Sequence, residues 1–167
     1  MEYYIGQTFE GDFPNGLSKW CEENDAFVLQ KGTTFYVMAN PKPTLDELKQ
    51  SKLTEVDQWT ASKITGGFIS GGVRYDSDMD TQTTMQGIAL NVNTERFTKD
   101  YPHGIPVRGY DEGSTEKTIH YLTAEEVLMF CADLSEHIGR CKLDGWTMQQ
   151  AVLEATTKEE LEAIILD

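Results

Sequence analysis

Residues 123–141, TAEEVLMFCADLSEHIGRC, contain both the start signal and the apolar spacing of an amphipathic helix. The hydroxyl of Thr123 and the carboxylate of Glu126 can each satisfy a backbone N–H group of the other residue, which is the capping box of a helix start. Apolar side chains then recur three or four positions apart, at Val127, Cys131, Leu134, Ile138 and Cys141. This spacing predicts a helix that buries one side against the rest of the fold.

Three other stretches contain the same start signal. They begin at Thr44, Thr147 and Thr157, and each has Glu or Gln three residues later. The first predicts a helix that runs to about Lys63, and the other two predict short final helices. The apolar stripe of the first helix is thin and includes Lys52. An exposed connector or an oligomerising stalk would both fit that stripe, but packing against the neighbouring modules is the favoured interpretation.

Strands are predicted where β-rich segments flank a glycine turn. The three hairpin signals join 26–29 to 35–38, 68–70 to 73–75, and 105–110 to 117–122. Near the N-terminus we expect a short strand at Tyr3–Ile5 and a short helix within 14–23. A further helix should start at Ser77 or Asp78 and end at the break formed by 101–104.

These elements predict an α+β fold in three parts. Residues 1–40 form a small, aromatic-rich β-α-β-β module, and 41–65 form a Pro-rich joint with a connecting helix. Residues 66–167 form a larger module of two β-hairpins with about four helices. Because two prolines stiffen 40–43, we place the module boundary there.

The composition excludes some classes of function. The chain has 28 acidic and 14 basic residues, a net charge of −14, which disfavours direct binding to nucleic acid. The acidity favours a role in solubility, with mimicry of DNA as the alternative. The three cysteines form no pairing framework, and we find neither a signal peptide nor an apolar run long enough for a membrane span. We therefore expect a cytoplasmic protein without membrane insertion.

The side chains that most often perform chemistry are scattered along the chain. The histidines, His103, His120 and His137, have no second ligand at metal-binding spacing. We expect His137 to be an ordinary surface imidazole. A Cys-His dyad would require one of the cysteines to approach His120 or His103 in space.

A run of alternating acids, Asp76, Asp78 and Asp80, resembles the start of a calcium loop. However, Thr81 and Gly87 stand where that loop needs Gly and a bidentate Glu. The acids fit better as the start of a helix, where they complement the dipole. We therefore predict no catalytic, cofactor or metal site.

Several motifs resemble those of a protein family found in tailed bacteriophages and prophages. They are GGFISGGVRYDSDMDTQTTMQG (66–87), IPVRGYDEG (105–113), LTAEEV (122–127) and CKLDGWTMQQAVLEATTKEELEAI (141–164). Proteins of that family have no known biochemical role, and the motifs often occupy the C-terminal part of tail-fibre-related or fibre-assembly proteins. The opening YYIGQTFEGDFPNGLSKWCEENDAFV (3–28) is similar to the start of small phage tail proteins.

The resemblance implies a non-enzymatic component of a phage tail or fibre, or an accessory of fibre assembly. Its partners would be other tail or fibre proteins, with self-association as a further possibility. It would be found in the cytoplasm of the bacterial host during assembly, or in the virion tail. Two alternatives are an acidic phage inhibitor of a host defence or nucleic-acid enzyme, and a cryptic tail-associated hydrolase.

Overall fold

The computed structural model describes residues 2–167. The chain forms two compact units, one extending to Thr44 and the other comprising Leu45–Asp167. Both units combine helices with a small antiparallel sheet, as the α+β prediction requires. The helix of the predicted joint belongs to the second unit, where it packs on a later helix.

The first unit has the predicted β-α-β-β order. Its elements are β1 (Thr8–Glu10), α1 (Leu17–Glu23), β2 (Ala26–Lys31) and β3 (Thr34–Ala39). The sheet order is β1-β3-β2, and α1 buries Leu17 and Cys21 in a core with Ala26 and Val37. The predicted hairpin is confirmed, with Gly32 in the turn at a positive φ of 63°.

The first strand lies later than predicted. Residues 3–5 are not a strand, because the chain turns at Tyr4–Gln7: the Gln7 N–H donates to the Tyr4 carbonyl at 3.2 Å, and Gly6 has φ 92°. Pairing with β3 therefore begins only at Thr8. Tyr3 instead packs its ring near Phe9 and donates its hydroxyl to Asn15.

The second unit contains one four-stranded sheet and five helices among the described residues. The elements are α2 (Leu45–Thr65), β4 (Phe68–Ser70), β5 (Val73–Tyr75), α3 (Met79–Ala89), α4 (Glu95–Asp100), β6 (Ile105–Tyr110), β7 (Lys117–Leu122), α5 (Ala124–Glu154) and α6 (Lys158–Glu162). Both predicted hairpins are confirmed, β4-β5 and β6-β7. Pairing of β5 with β6 joins them into the order β4-β5-β6-β7.

Gly109 permits this junction. It lies opposite Tyr75 in the β5-β6 pair. A Cβ atom at Gly109 would lie 2.5 Å from Cγ1 of Val73 and 2.8 Å from Cε1 of Tyr75. The missing side chain therefore leaves room for the buried Tyr75 ring, which contacts Phe68 and Phe130 in the core.

Most of the predicted helix starts are confirmed by their hydrogen bonds. Thr123 and Thr157 form complete capping boxes with Glu126 and Glu160. Asp78 caps α3 by accepting from the Thr81 N–H at 2.8 Å. The helix predicted after Thr44 begins at Leu45.

The predicted helix start at Thr147 is wrong, because α5 continues unbroken from Ala124 to Glu154. Thr147 lies inside α5 and donates its hydroxyl to the Leu143 carbonyl at 2.9 Å. Gly145 also lies inside the helix, facing Thr60 of α2. Since tertiary packing can override local helix signals, the contact with α2 explains why the helix does not end here.

The helix predicted between Asp78 and residue 101 consists of two helices. α3 ends at Ala89, and α4 has its own cap, the Thr94 hydroxyl, which accepts from the Phe97 N–H at 3.2 Å. Between them the Asn91 amide donates to the Gly87 carbonyl at 2.9 Å, which satisfies the end of α3. Val92 of the connection is buried in the same core as Met85 of α3.

The buried residues of the second unit form two clusters, both of which include residues of α5. One lies between the sheet, α3, α4 and the first half of α5, with Phe130 and Val127 at its centre. The other lies between α2, α6 and the end of α5, around Val56, Val152 and Leu161. Within 2–167, no helix combines the length and apolarity required to cross a bilayer.

The packing at Gly145 generates a testable prediction. A Cβ atom at this position would lie 2.2 Å from Oγ1 of Thr60. Gly145→Ala should therefore lower the free energy of unfolding by about 1 kcal/mol, because the cost of overpacking exceeds the gain in helix propensity. Urea denaturation of the variant measures this difference.

A matched control is Gly87→Ala, since Gly87 also lies in a helix but has open space around it. That substitution should stabilise the protein by up to about 1 kcal/mol. In a Thr60→Ala background, the cost of Gly145→Ala should shrink. An unchanged cost there would contradict the close contact between α2 and α5.

Candidate functional site

His120, one of the two histidines that a Cys-His dyad would require, has polar surroundings. Its Nε2 atom lies 2.9 Å from the Thr118 hydroxyl and 3.6 Å from a carboxylate oxygen of Asp111. The ring meets Tyr75 edge-on at 5.9 Å. A Cys-His-carboxylate site would need a thiol in addition to His120 and Asp111. None of the three cysteines lines the groove next to His120.

That groove is the best candidate for a small-molecule site. It has a volume of about 550 Å³ and lies between the sheet and α5, with the side chains of Tyr75, His120, Glu126 and Asp133 in its lining. Burial, together with the charges of Glu126 and Asp111, raises the pKa of Tyr75, so its phenol is neutral.

Two carboxylates line this groove, but one of them caps a helix. The Thr123 N–H donates to Glu126 at 2.8 Å, and hydrogen bonds from Thr123 lower the pKa of the Glu126 carboxyl. A glycosidase general acid needs a raised pKa so that it holds its proton near neutral pH. Glu126 is therefore suited to stabilising α5 rather than to donating a proton.

His137 is not the surface imidazole that we predicted. It is half-buried, and its Nε2 atom lies 3.0 Å from the Lys63 carbonyl and 3.3 Å from the Ile64 carbonyl. Because carbonyl oxygens only accept, Nε2 must carry the proton. His137 thus binds the C-terminal carbonyls of α2, and it also stacks on Phe68.

His137 has a cysteine neighbour that the dyad prediction did not consider. Cys141 lies one turn along α5, with Sγ 3.8 Å from Nε2 and 3.9 Å from Nδ1 of the imidazole. Burial, with a contribution from the charge of Asp144, raises the pKa of this thiol. A nucleophilic cysteine needs a lowered pKa, so this pair lacks the electrostatics of a catalytic dyad.

The acidic run 76–80 is divided among structural contacts. Asp78 caps α3, and hydrogen bonds from Thr81 lower the pKa of its carboxyl. Asp76 forms an ion pair with Lys117 across the sheet. Within residues 2–167, no group of three His, Cys, Asp or Glu side chains is placed to hold a metal ion.

The outer face of the four-stranded sheet is a candidate binding surface. Residues opposite each other in an antiparallel pair point to the same side. The register therefore places seven large side chains on the face that points away from α5, which we call the outer sheet face: Ile69, Arg74, Arg108, Tyr110, Lys117, Ile119 and Tyr121. Ile69, Ile119 and Tyr121 are 68%, 58% and 58% exposed.

Cations and aromatic rings are in contact on this face. The Arg74 guanidinium lies 4.3 Å from the centre of the Tyr110 ring, and the Lys117 ammonium lies 5.2 Å from it. Tyr110 is half-buried between them. Such stacking restricts the arginine side chain, which reduces the entropy that binding would otherwise cost.

The first unit also has an exposed apolar sheet face. Phe27 pairs with Met38 and Leu29 pairs with Tyr36, on the side of the sheet opposite α1. Phe27, Leu29 and Met38 are 38%, 37% and 41% exposed. This second surface is smaller, and the same register places the exposed Lys31 at its edge, opposite Thr34.

The second unit thus combines a helix-covered antiparallel sheet with an exposed apolar face, and several of its polar groups complete the fold. Residues 47–165 match a family described as "Domain of unknown function (DUF4376)", and the chain belongs to that family. Comparison with curated proteins and with solved structures found no match.

The position of His137 generates a prediction about stability. His137→Ala removes the donor to the α2 carbonyls and should lower the free energy of unfolding by about 1–2 kcal/mol. Thermal and urea denaturation would measure the loss. The matched control is His103→Ala, because His103 is exposed in a loop, and this variant should retain wild-type stability. Equal stability of the two variants would contradict the structural role of His137.

The cysteines generate a prediction about reactivity. Burial raises the pKa of the thiols of Cys21, Cys131 and Cys141. At pH 7.5 we expect iodoacetamide to alkylate each at least about ten-fold more slowly in the folded protein than in urea, since only the thiolate reacts. Mass spectrometry of peptides would give the three rates. A cysteine that reacts faster in the folded protein would revive the nucleophile hypothesis.

Proposed function

We propose that this protein is a non-enzymatic component or assembly accessory of a phage tail, and that it binds a tail or fibre protein through its outer sheet face. The phage assignment rests on the resemblance of the motifs in 66–164. The binding role is supported chiefly by one observation, the exposed apolar and aromatic side chains on the outer sheet face.

The composition of this face supports a protein partner. The solvated face of an antiparallel sheet is normally polar. Along β7, Thr118 and His120 alternate with Ile119 and Tyr121. The side chains that face solvent are the apolar and aromatic ones, Ile119 and Tyr121. Aromatic residues and arginine are enriched in protein interfaces. Tyr110 with its stacked Arg74 fits the description of an interface anchor.

The charge of the face favours a partner with carboxylates. Arg74 and Arg108 are exposed on it, although the whole chain has a net charge of −14. A local positive patch on an acidic protein attracts acidic groups at close range, while the overall negative field repels nucleic acid. We therefore infer a partner surface that presents acidic residues beside an apolar patch.

The use of the polar side chains supports a non-enzymatic role. Glu126 and Asp78 cap helices, and Asp76 neutralises Lys117. His137 holds the end of α2, and its cysteine neighbour is buried. Catalysis requires groups that are free to exchange protons or to attack a substrate, and these residues instead hold the fold together.

Truncation of the outer sheet face tests the binding role. The combined substitution Ile119→Ala and Tyr121→Ala should weaken binding to the neighbouring tail or fibre gene product at least ten-fold, since losing buried interface side chains of this kind costs about 1–3 kcal/mol. Co-purification from the infected host identifies the partner, and calorimetry measures the affinity. Leu90→Ala is the matched control, because Leu90 is 85% exposed in the same unit but away from this face.

Three outcomes would count against the proposal. Absence of the protein from purified virions together with failure to co-purify with a fibre product would remove the tail assignment. Unchanged affinity of the double variant would remove the outer sheet face as the binding surface. Binding to a nucleic-acid enzyme that is lost between about 50 and 200 mM salt would favour the acidic inhibitor, because screening acts over that range.

A further inference from the structure

The solvent side of α5 exposes several large apolar side chains, which is unusual for the surface of a monomer. Four large side chains on it, Leu128, Leu143, Trp146 and Leu153, are 44%, 60%, 62% and 56% exposed. In a helix of 3.6 residues per turn, Leu128 and Trp146 are separated by about five whole turns, and the other two lie within about 60° of them. They therefore form one stripe, opposite the side that faces the core.

Small residues occupy the middle of the same stripe. Ala132, Ser135 and Gly139 are exposed between Leu128 and Leu143. A Cβ atom built at Gly139 meets nothing within 4 Å. The solvent side of α5 therefore has a flat, narrow centre, with bulky side chains concentrated towards the C-terminal half.

The arrangement about Gly139 is self-complementary. Trp146 follows Gly139 by seven residues and Ala132 precedes it by seven, while Leu143 and Ser135 are each four residues away. In an antiparallel pair of identical helices that cross at Gly139, each Trp146 would face Ala132 of the other copy. Each Leu143 would likewise face Ser135, so that large side chains pack on small ones.

The charges follow the same symmetry. Lys142 lies three residues after Gly139 and Glu136 lies three residues before it. The antiparallel crossing places Lys142 of one copy beside Glu136 of the other. Oε1 of Glu136 already accepts a hydrogen bond from the Arg140 guanidinium at 2.5 Å. Its second oxygen can accept one from the Lys142 ammonium of the other copy. A two-fold pair therefore adds an ion pair at each side of the crossing.

We propose that a second copy of this chain docks on the solvent side of α5 and forms an antiparallel, two-fold symmetric dimer centred on Gly139. The stripe from Leu128 to Leu153 is about 39 Å long at 1.5 Å per residue. A two-helix contact of this length lies at the lower end of specific interfaces, where weak complexes are common, and we expect a micromolar Kd.

The dimer goes beyond the proposed binding to a tail protein and does not depend on it. The outer sheet face and the solvent side of α5 lie on opposite sides of the second unit, because the inner face of the sheet packs on the buried side of α5. Dimerisation through α5 would leave both outer sheet faces free. The assembly would then bind a repeated partner at two points.

Sedimentation velocity of the whole chain, from 1 to 500 µM (roughly the range set by a micromolar Kd), tests the dimer without any partner. We expect a monomer–dimer equilibrium that Trp146→Glu weakens at least ten-fold. Leu90→Glu is the control and should leave the equilibrium unchanged, since Leu90 is exposed outside α5. A monomer at every concentration, or a dimer that Trp146→Glu does not weaken, would overturn the proposal.

Charge exchange tests the register. Glu136→Lys and Lys142→Glu should each weaken the dimer, and the double variant should restore it, because the two sites face each other only in the antiparallel crossing. For direction, Gly139→Cys should cross-link two copies on mild oxidation, whereas Gln150→Cys should not. Cross-linking of both variants would indicate parallel helices and overturn the two-fold model.

Discussion

Burial of one side of α5 holds the second unit together. The sheet, α2 and α3 pack against this helix, and α6 joins the cluster at its end. Val127, Phe130 and Val152 are at most 1% exposed, and each such side chain contributes about 1.5–3 kcal/mol when removed from water. Without α5, the two buried clusters of the second unit would be separate small cores. A continuous 31-residue helix connects them, and α2, α3, β4 and β7 pack directly against it.

Polar contacts at helix ends complete this arrangement. Ser77 is fully buried, donates to the Ile64 carbonyl at 2.5 Å and accepts from the Gly67 N–H at 2.9 Å. His137 reaches the same end of α2 from α5. The turn between α2 and the sheet is thus held from two sides, which satisfies carbonyls that a helix end leaves open. Two of the side chains considered for chemistry in the sequence, Asp78 and His137, thus bind helix ends. The exposed surfaces are therefore the better guide to function.

Local signals in the sequence predicted most elements, and tertiary contacts explain the differences. The glycine turns located three hairpins, and the boxes at Thr123 and Thr157 located two helix starts, because these signals act within a few residues. The apparent helix start at Thr147 was misleading, because Gly145 before it does not end a helix. Gly145 instead packs against Thr60, a residue 85 positions earlier in the chain. The role of His137 was missed for the same reason: its partners lie on α2. Nothing near either residue reveals these neighbours.

The exposed surfaces could be predicted only in part. Alternation along 117–122 places Ile119 and Tyr121 on one side of a strand, but the side that faces solvent depends on where α5 packs. Likewise the 3.6-residue period identifies the apolar core side of α5, while the importance of Leu143 and Trp146 emerges only once the helix is known to run through Thr147. A helix broken there would place these residues in a loop, with no shared stripe. The continuity of α5 therefore links the core to the surface: the packing that joins the two clusters also aligns the exposed residues on the opposite side.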